Sequence, residues 1–100
     1  MNVLIVEDEP AYVDALKVAL EVEGFDATAT VDGREAIRAF RDNSFDVVLL
    51  DLMLPSVSGL DVLRSIRKDS ATPVVVVSAK DAESDVVTAL ELGADDYLTK

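Results

Sequence analysis

Four apolar runs in this chain each end on residues able to do chemistry. Glu7 and Asp8 follow Asn2-Val3-Leu4-Ile5-Val6, Asp51 follows Val47-Val48-Leu49-Leu50, Ser78 follows Val74-Val75-Val76-Val77, and Lys100 follows Asp96-Tyr97-Leu98-Thr99. If these runs are neighbouring parallel strands, their carboxyl ends open on one crevice, where open α/β sheets bind their ligands. Two carboxylates about 5 Å apart repel by roughly 3 kcal/mol at an effective dielectric near about 20, so a cluster of Glu7, Asp8 and Asp51 needs a cation. Lys100 supplies one positive charge. A hard divalent ion suits the remainder, with Mg²⁺ held by one or two carboxylates, a loop carbonyl and waters. An aspartate in that field can attack phosphorus to give an acyl phosphate. The metal, Lys100 and Ser78 would then surround the phosphoryl oxygens, and phosphoryl transfer asks little of a protein beyond positioning and charge neutralisation. Taken singly, each acid reads more readily as a helix cap or dipole partner, Ser78 as a cap or turn residue, and a terminal lysine as nothing. Only their joint placement at four strand ends is specific.

The elements that must position these residues follow from hydrophobic pattern. Short continuous apolar runs alternate with segments of helical period, the mark of βαβ units around a parallel sheet buried on both faces. After the run at 2–6, Pro10 opens a helix with Val13, Leu16 and Leu20 on one face, and Gly24 caps its end. Phe25 to Val31 reads as a second strand, Asp32-Gly33 as a turn, and Ala36, Ile37 and Phe40 as the buried face of a second helix. Asp46 to Leu50 is a third strand. The segment from Asp51 to Gly59 is a loop, and Leu60, Leu63 and Ile66 mark a third helix. Pro73 introduces a fourth strand, Glu83 to Leu92 form a fourth helix stopped by Gly93, and the chain closes on a fifth strand. On the first helix, Ala11, Ala15, Val18 and Val22 line up opposite the buried stripe, an apolar face that calls for a partner.

Composition narrows the function. One hundred residues, half of them hydrophobic, suffice for one domain with a real core. A net charge of −11 argues against direct binding to nucleic acid or anionic membranes. The stripe Arg34, Arg38 and Arg41 is interrupted by Glu35 and Asp42 and reads as a solvated helix face. Without cysteine there are no disulfides or thiolate sites, and without histidine any imidazole chemistry must come from a partner. No leader or long apolar span is evident, so a cytoplasmic protein is expected.

The motifs Val3-Leu4-Ile5-Val6-Glu7-Asp8-Glu9, Leu49-Leu50-Asp51-Leu52-Met53-Leu54-Pro55 with Gly59, Val77-Ser78-Ala79, and Leu90-Glu91-Leu92-Gly93-Ala94-Asp95-Asp96-Tyr97-Leu98-Thr99-Lys100 occur in this order. Together they resemble the receiver domain of bacterial two-component response regulators over the full length, most closely the branch carrying a winged-helix DNA-binding domain. The resemblance implies a flavodoxin-like α/β fold with a five-stranded parallel sheet in the order 2-1-3-4-5. It implies that Asp51 is the phosphoacceptor and that Glu7, Asp8, Asp51 and the Met53 carbonyl bind Mg²⁺. Ser78 and Lys100 would contact the phosphoryl group, and Tyr97 would be the switch aromatic, although alone it reads as a strand-face residue. The implied partner is a sensor histidine kinase, and the implied output is transcription.

Two departures shape the expectation further. The family continues past this lysine into a fifth helix, so residues 1–100 read as a receiver domain incomplete at its C-terminus. Val86 stands where the winged-helix branch commonly has a lysine used across its dimer, which weakens association through that face. The outer stripe of the first helix then packs against the missing helix or docks a kinase's helical hairpin. Exposed apolar surface leads one to expect a homodimer or a domain-swapped oligomer. Two rival functions stay in view. A Mg²⁺-dependent phosphatase with an aspartyl nucleophile would want a second carboxylate where Met53 stands, and a receiver-like module that is not phosphorylated would not need its acceptor, metal and lysine positions filled.

Overall fold

The computed structural model describes residues 1–100. Five parallel strands alternate with four helices: β1 (Asn2–Val6), α1 (Pro10–Val22), β2 (Asp26–Thr30), α2 (Gly33–Asp42), β3 (Val47–Leu50), α3 (Gly59–Asp69), β4 (Val74–Ser78), α4 (Glu83–Glu91) and β5 (Asp96–Thr99). The sheet order is β2-β1-β3-β4-β5, as expected. From β1 the chain steps outward to β2, then returns across β1 to β3 and continues the other way. The carboxyl ends of β1 and β3 therefore adjoin where the winding reverses. Register makes this concrete: Val6 is opposite Leu50, so Glu7 and Asp51 leave the sheet side by side, and Asp51 N–H donates to the Val6 carbonyl at 2.9 Å.

Local chemistry sets the helix ends. Pro10 occupies the first turn of α1, where its missing N–H costs nothing. Asp32, expected in a turn, caps α2 by accepting from Glu35 N–H at 2.8 Å, and Ser58 caps α3 by accepting from Asp61 N–H at 3.3 Å. Gly24 and Gly93 end α1 and α4 with φ of 89° and 110°, a conformation that side chains resist. Strand β2 and helix α4 are slightly shorter than their patterns suggest. Phe25 N–H closes the end of α1 by donating to Leu20, and Leu92 is the C-cap of α4.

The two faces of the sheet are not covered equally. Leu4, Val6, Val48, Leu50, Val74 and Val76 point to one side and pack with Ala36 of α2, Val62, Leu63 and Ile66 of α3 and Ala89 of α4, all buried. Side chains alternate across a strand, so Val47, Leu49, Val75 and Val77 face the opposite layer, where they are only partly buried. That layer contains α1, seated through the buried Val13. Burial on both faces, expected for every strand, is complete only in Val3–Val6 of β1, while β2 and β5 are edges with exposed residues.

Gly59 controls the loop that carries Asp51. Its N–H donates to the Leu52 carbonyl at 3.1 Å, and a Cβ there would lie 2.4 Å from the Asp51 carbonyl oxygen and 2.4 Å from Leu52 Cα. Both obstacles are backbone, so neither can rotate away. Gly59→Ala should therefore destabilise the fold by about 2–3 kcal/mol, the cost of forced overpacking. Urea denaturation checks this, and a loss within about 0.5 kcal/mol, typical of surface changes, would show that the loop shifts freely.

Candidate functional site

All the residues expected at the site converge on the carboxyl edge of the sheet. Glu7 and Asp51 are almost fully buried, and one ammonium serves both. Lys100 Nζ lies 2.5 Å from Glu7 Oε1 and 3.0 Å from Asp51 Oδ2. The remaining carboxylate oxygens take backbone donors. Asp51 Oδ1 accepts from Met53 N–H at 3.0 Å, and Glu7 Oε2 accepts from Glu9 N–H at 3.1 Å. Lys100 is fixed from its backbone as well, since its N–H donates to the Ser78 carbonyl at 2.9 Å and continues the β4–β5 ladder past Thr99. The conjunction of strand ends is thus held by main-chain hydrogen bonds on both flanks.

Asp8 differs from its neighbour. It is exposed, forms no ion pair, and faces an open groove lined also by Leu52, Met53, Leu54, Pro55 and Lys80. Glu7, Asp8 and Asp51 each present one oxygen within 4.8 Å of the others. One ammonium against three carboxylates leaves the cluster negative. Burial raises the Glu7 pKa, and the charge of Asp51 adds to the effect, against the hydrogen bonds from Lys100 and Glu9. Burial also works against the Lys100 ammonium, but the hydrogen bonds and charges of Glu7 and Asp51 outweigh it and hold the group above its ordinary value. Lys100 is therefore a permanent cation here, and the unmet negative charge lies toward Asp8. The donor set fits a small hard cation: the carboxylate oxygens of Glu7, Asp8 and Asp51, with Asp8 exposed, while the Met53 carbonyl, two residues after Asp51, accepts no backbone hydrogen bond.

Ser78 and Tyr97 meet at one residue. Ser78 is fully buried, and its hydroxyl accepts from Lys80 N–H at 3.3 Å. The Tyr97 hydroxyl donates to the Lys80 carbonyl at 2.6 Å, with its ring partly buried against the core. Burial raises the Tyr97 pKa, so the phenol stays protonated and remains a donor. Both peptide groups of Lys80 are thus tied, one to each residue expected to switch.

Sequence patterns did not reveal three parts of the site. The backbone N–H groups of Glu9 and Met53 have no side-chain signature. Lys80 gave no signal beyond its place two residues after Ser78. Tyr12, whose ring centroid lies 4.4 Å from Lys100 Nζ, was legible only as the third residue of a helix starting at the sheet's carboxyl edge.

The sequence and fold resemble those of known proteins. The model of the response regulator receiver domain matches residues 3–100. Sensory transduction protein RegX3 of Mycolicibacterium smegmatis is 52% identical over 99 residues, covering 99% of this chain and 43% of the relative. The DNA-binding response regulator MtrA of the same organism is 47% identical over 99 residues, covering 99% of this chain and 43% of its own length. The chain therefore spans less than half of these relatives. Among solved structures, response regulator TrrA of Thermotoga maritima in complex with Mg²⁺–BeF superposes with a TM-score of 0.90 at 31% identity, covering 99% of this chain and 85% of that one. With a sheet in the order 2-1-3-4-5, an acidic cluster at its switch point and a family match over nearly every residue, the chain belongs to the response regulator receiver domains.

Proposed function

We propose that this domain is a phosphorylation-controlled switch whose acceptor is Asp51, charged by a phosphohistidine of a sensor histidine kinase. The observation that carries this is the setting of Asp51: a buried carboxylate held between Lys100 Nζ and Met53 N–H, with oxygens of Glu7 and Asp8 alongside. In the transfer, a carboxylate oxygen of Asp51 forms a bond to phosphorus while the phosphorus–nitrogen bond of the donor breaks, and the imidazole leaves with the bonding electron pair. Lys100 faces the phosphoryl oxygens, and the Met53 N–H orients the attacking carboxylate. Glu7, Asp8, Asp51 and the Met53 carbonyl would hold Mg²⁺, which when bound offsets the charge of the carboxylates and of the incoming phosphoryl group. The Mg²⁺–BeF complex of TrrA supports this assignment. The phosphatase alternative is disfavoured by Met53, which occupies the place of its second carboxylate.

The switch follows from the double tether on Lys80. If the Ser78 side chain turns toward the phosphoryl group to donate to it, its oxygen leaves Lys80 N–H, and the loop so freed carries the Lys80 carbonyl that holds Tyr97. Phosphorylation and later hydrolysis are then self-modification rather than turnover of an external substrate. The name of MtrA, a DNA-binding response regulator, supports a transcriptional output, and the net charge of −11 argues against direct nucleic-acid binding by this domain itself. No helix is long and apolar enough to cross a membrane, and the absence of cysteine suits the reducing cytoplasm in which we place the domain. Exposed Val18 and Val22 of α1 and Leu98 of β5 support self-association as a homodimer or by exchange of elements. Sedimentation should show species larger than the monomer, and a monomer at all concentrations would refute that part.

Incubation with acetyl phosphate and Mg²⁺ should add one phosphoryl group to the wild type, seen by electrospray mass spectrometry, and none to Asp51→Asn. Equal incorporation in the variant would overturn the acceptor assignment. Titrated Mg²⁺ should raise the melting temperature of the wild type, because it binds only the folded state, and should leave Asp8→Asn unmoved. Without metal, Asp8→Asn should be more stable by up to about 1 kcal/mol, since it removes an exposed, unpaired charge from an acidic cluster. An unchanged Mg²⁺ response in Asp8→Asn would exclude that carboxylate as a ligand.

A further inference from the structure

We infer that Tyr12 is a positioning residue for phosphoryl transfer: its ring face holds the Lys100 ammonium against Asp51 without neutralising it. The inference rests on the assignment of Asp51 as acceptor. An ammonium has three donors. In this site, carboxylates occupy two directions, at 2.5 Å from Glu7 and 3.0 Å from Asp51, and the Tyr12 ring stands across another flank with its centroid at 4.4 Å. That distance is well within the range of cation–π attraction. The Lys100 side chain is only 17% exposed as a result.

The chemical choice of an aromatic ring matters here. A third carboxylate would also hold the lysine, but it would compete with a phosphoryl group for the charge. A water would hold it loosely and offer a nucleophile beside an acyl phosphate. A neutral π face excludes water on that flank and leaves the full positive charge for phosphoryl oxygens. The ring is also rigidly mounted. Tyr12 lies in the first turn of α1, where its own N–H and that of Val13 both donate to the Glu9 carbonyl at 3.1 and 3.0 Å. Val13 is buried and Pro10 restricts the same turn. Since Glu9 N–H in turn donates to Glu7, the ring is positioned through the same short segment that supplies Glu7 and Asp8.

The test measures initial rates of phosphoryl incorporation at Asp51 from acetyl phosphate with Mg²⁺, for the wild type, Tyr12→Phe, Tyr12→Leu and Tyr12→Met. The last two fill the space without a π face, and methionine, a strong helix former, keeps the comparison open if leucine perturbs α1. Tyr12→Met and Tyr12→Leu should be slower by about three- to tenfold, the range of a partly desolvated cation–π contact, and Tyr12→Phe should restore the wild-type rate. Proton NMR gives a second readout: the Lys100 ε-methylene signals should be shifted upfield by the ring in the wild type and Tyr12→Phe, and should lose that shift in Tyr12→Met. Wild-type rates in Tyr12→Met, or a slow Tyr12→Phe, would overturn the role of the ring while leaving Asp51 as acceptor. A wild type that gains no phosphoryl group at Asp51 would instead refute the acceptor assignment, and the inference with it.

Discussion

One ammonium shared by two buried carboxylates is the constraint on which the rest of this structure depends. Glu7 and Asp51 are almost removed from water, and an uncompensated charge at either would cost about 3–5 kcal/mol. Lys100 prevents that by reaching both, and it can do so only because β5 delivers it to the same edge as β1 and β3. Three pairings must therefore hold in register: β1 with β3, β3 with β4, and β4 with β5. A slip by one residue in any strand would turn its side chains to the opposite face and separate the charges. The site and the sheet specify one another.

Compensation is nevertheless left incomplete, with one ammonium against three carboxylates. Asp8 has no cation, and it lines an open groove together with Met53 and its neighbours in the loop after β3. The same loop is pinned at Gly59 by a contact too close for any side chain, so the Asp51 backbone is held firmly where its surroundings are open. Binding energy from a cation is then available to the folded state alone.

Much of this was legible because the informative residues sit at element ends. Continuous valine and leucine runs identified the strands, and the acids, serine and lysine that closed them identified the edge. The resemblance supplied the strand order that spacing alone could not. Burial on both faces was overestimated, because an apolar run indicates that a strand is covered but not how fully each side is. Val47, Leu49, Val75 and Val77 look no less buried in sequence than Val48, Leu50, Val74 and Val76. Main-chain donors were invisible for a different reason, since every residue but proline carries one and only the loop's conformation aims it. Tyr12 was hidden because its partner lies 88 positions later in the chain and touches it only after five strands are assembled.

Lys80 is held in a different way from the core. Its N–H and carbonyl are held by residues from different strands, Ser78 of β4 and Tyr97 of β5, so the start of the β4–α4 connection is defined by two side-chain hydroxyls rather than by core packing. Such bonds, each a modest net contribution, exchange at little cost. The apolar core beneath, with Val74 and Val76 fully buried, does not yield in the same way. The contacts along the sheet's carboxyl edge, from Ser78 through the Lys80 peptide groups to Tyr97, are therefore more readily exchanged than the packing beneath them. The stiff sheet fixes the strand ends, and two exchangeable hydrogen bonds hold the connection that leaves them.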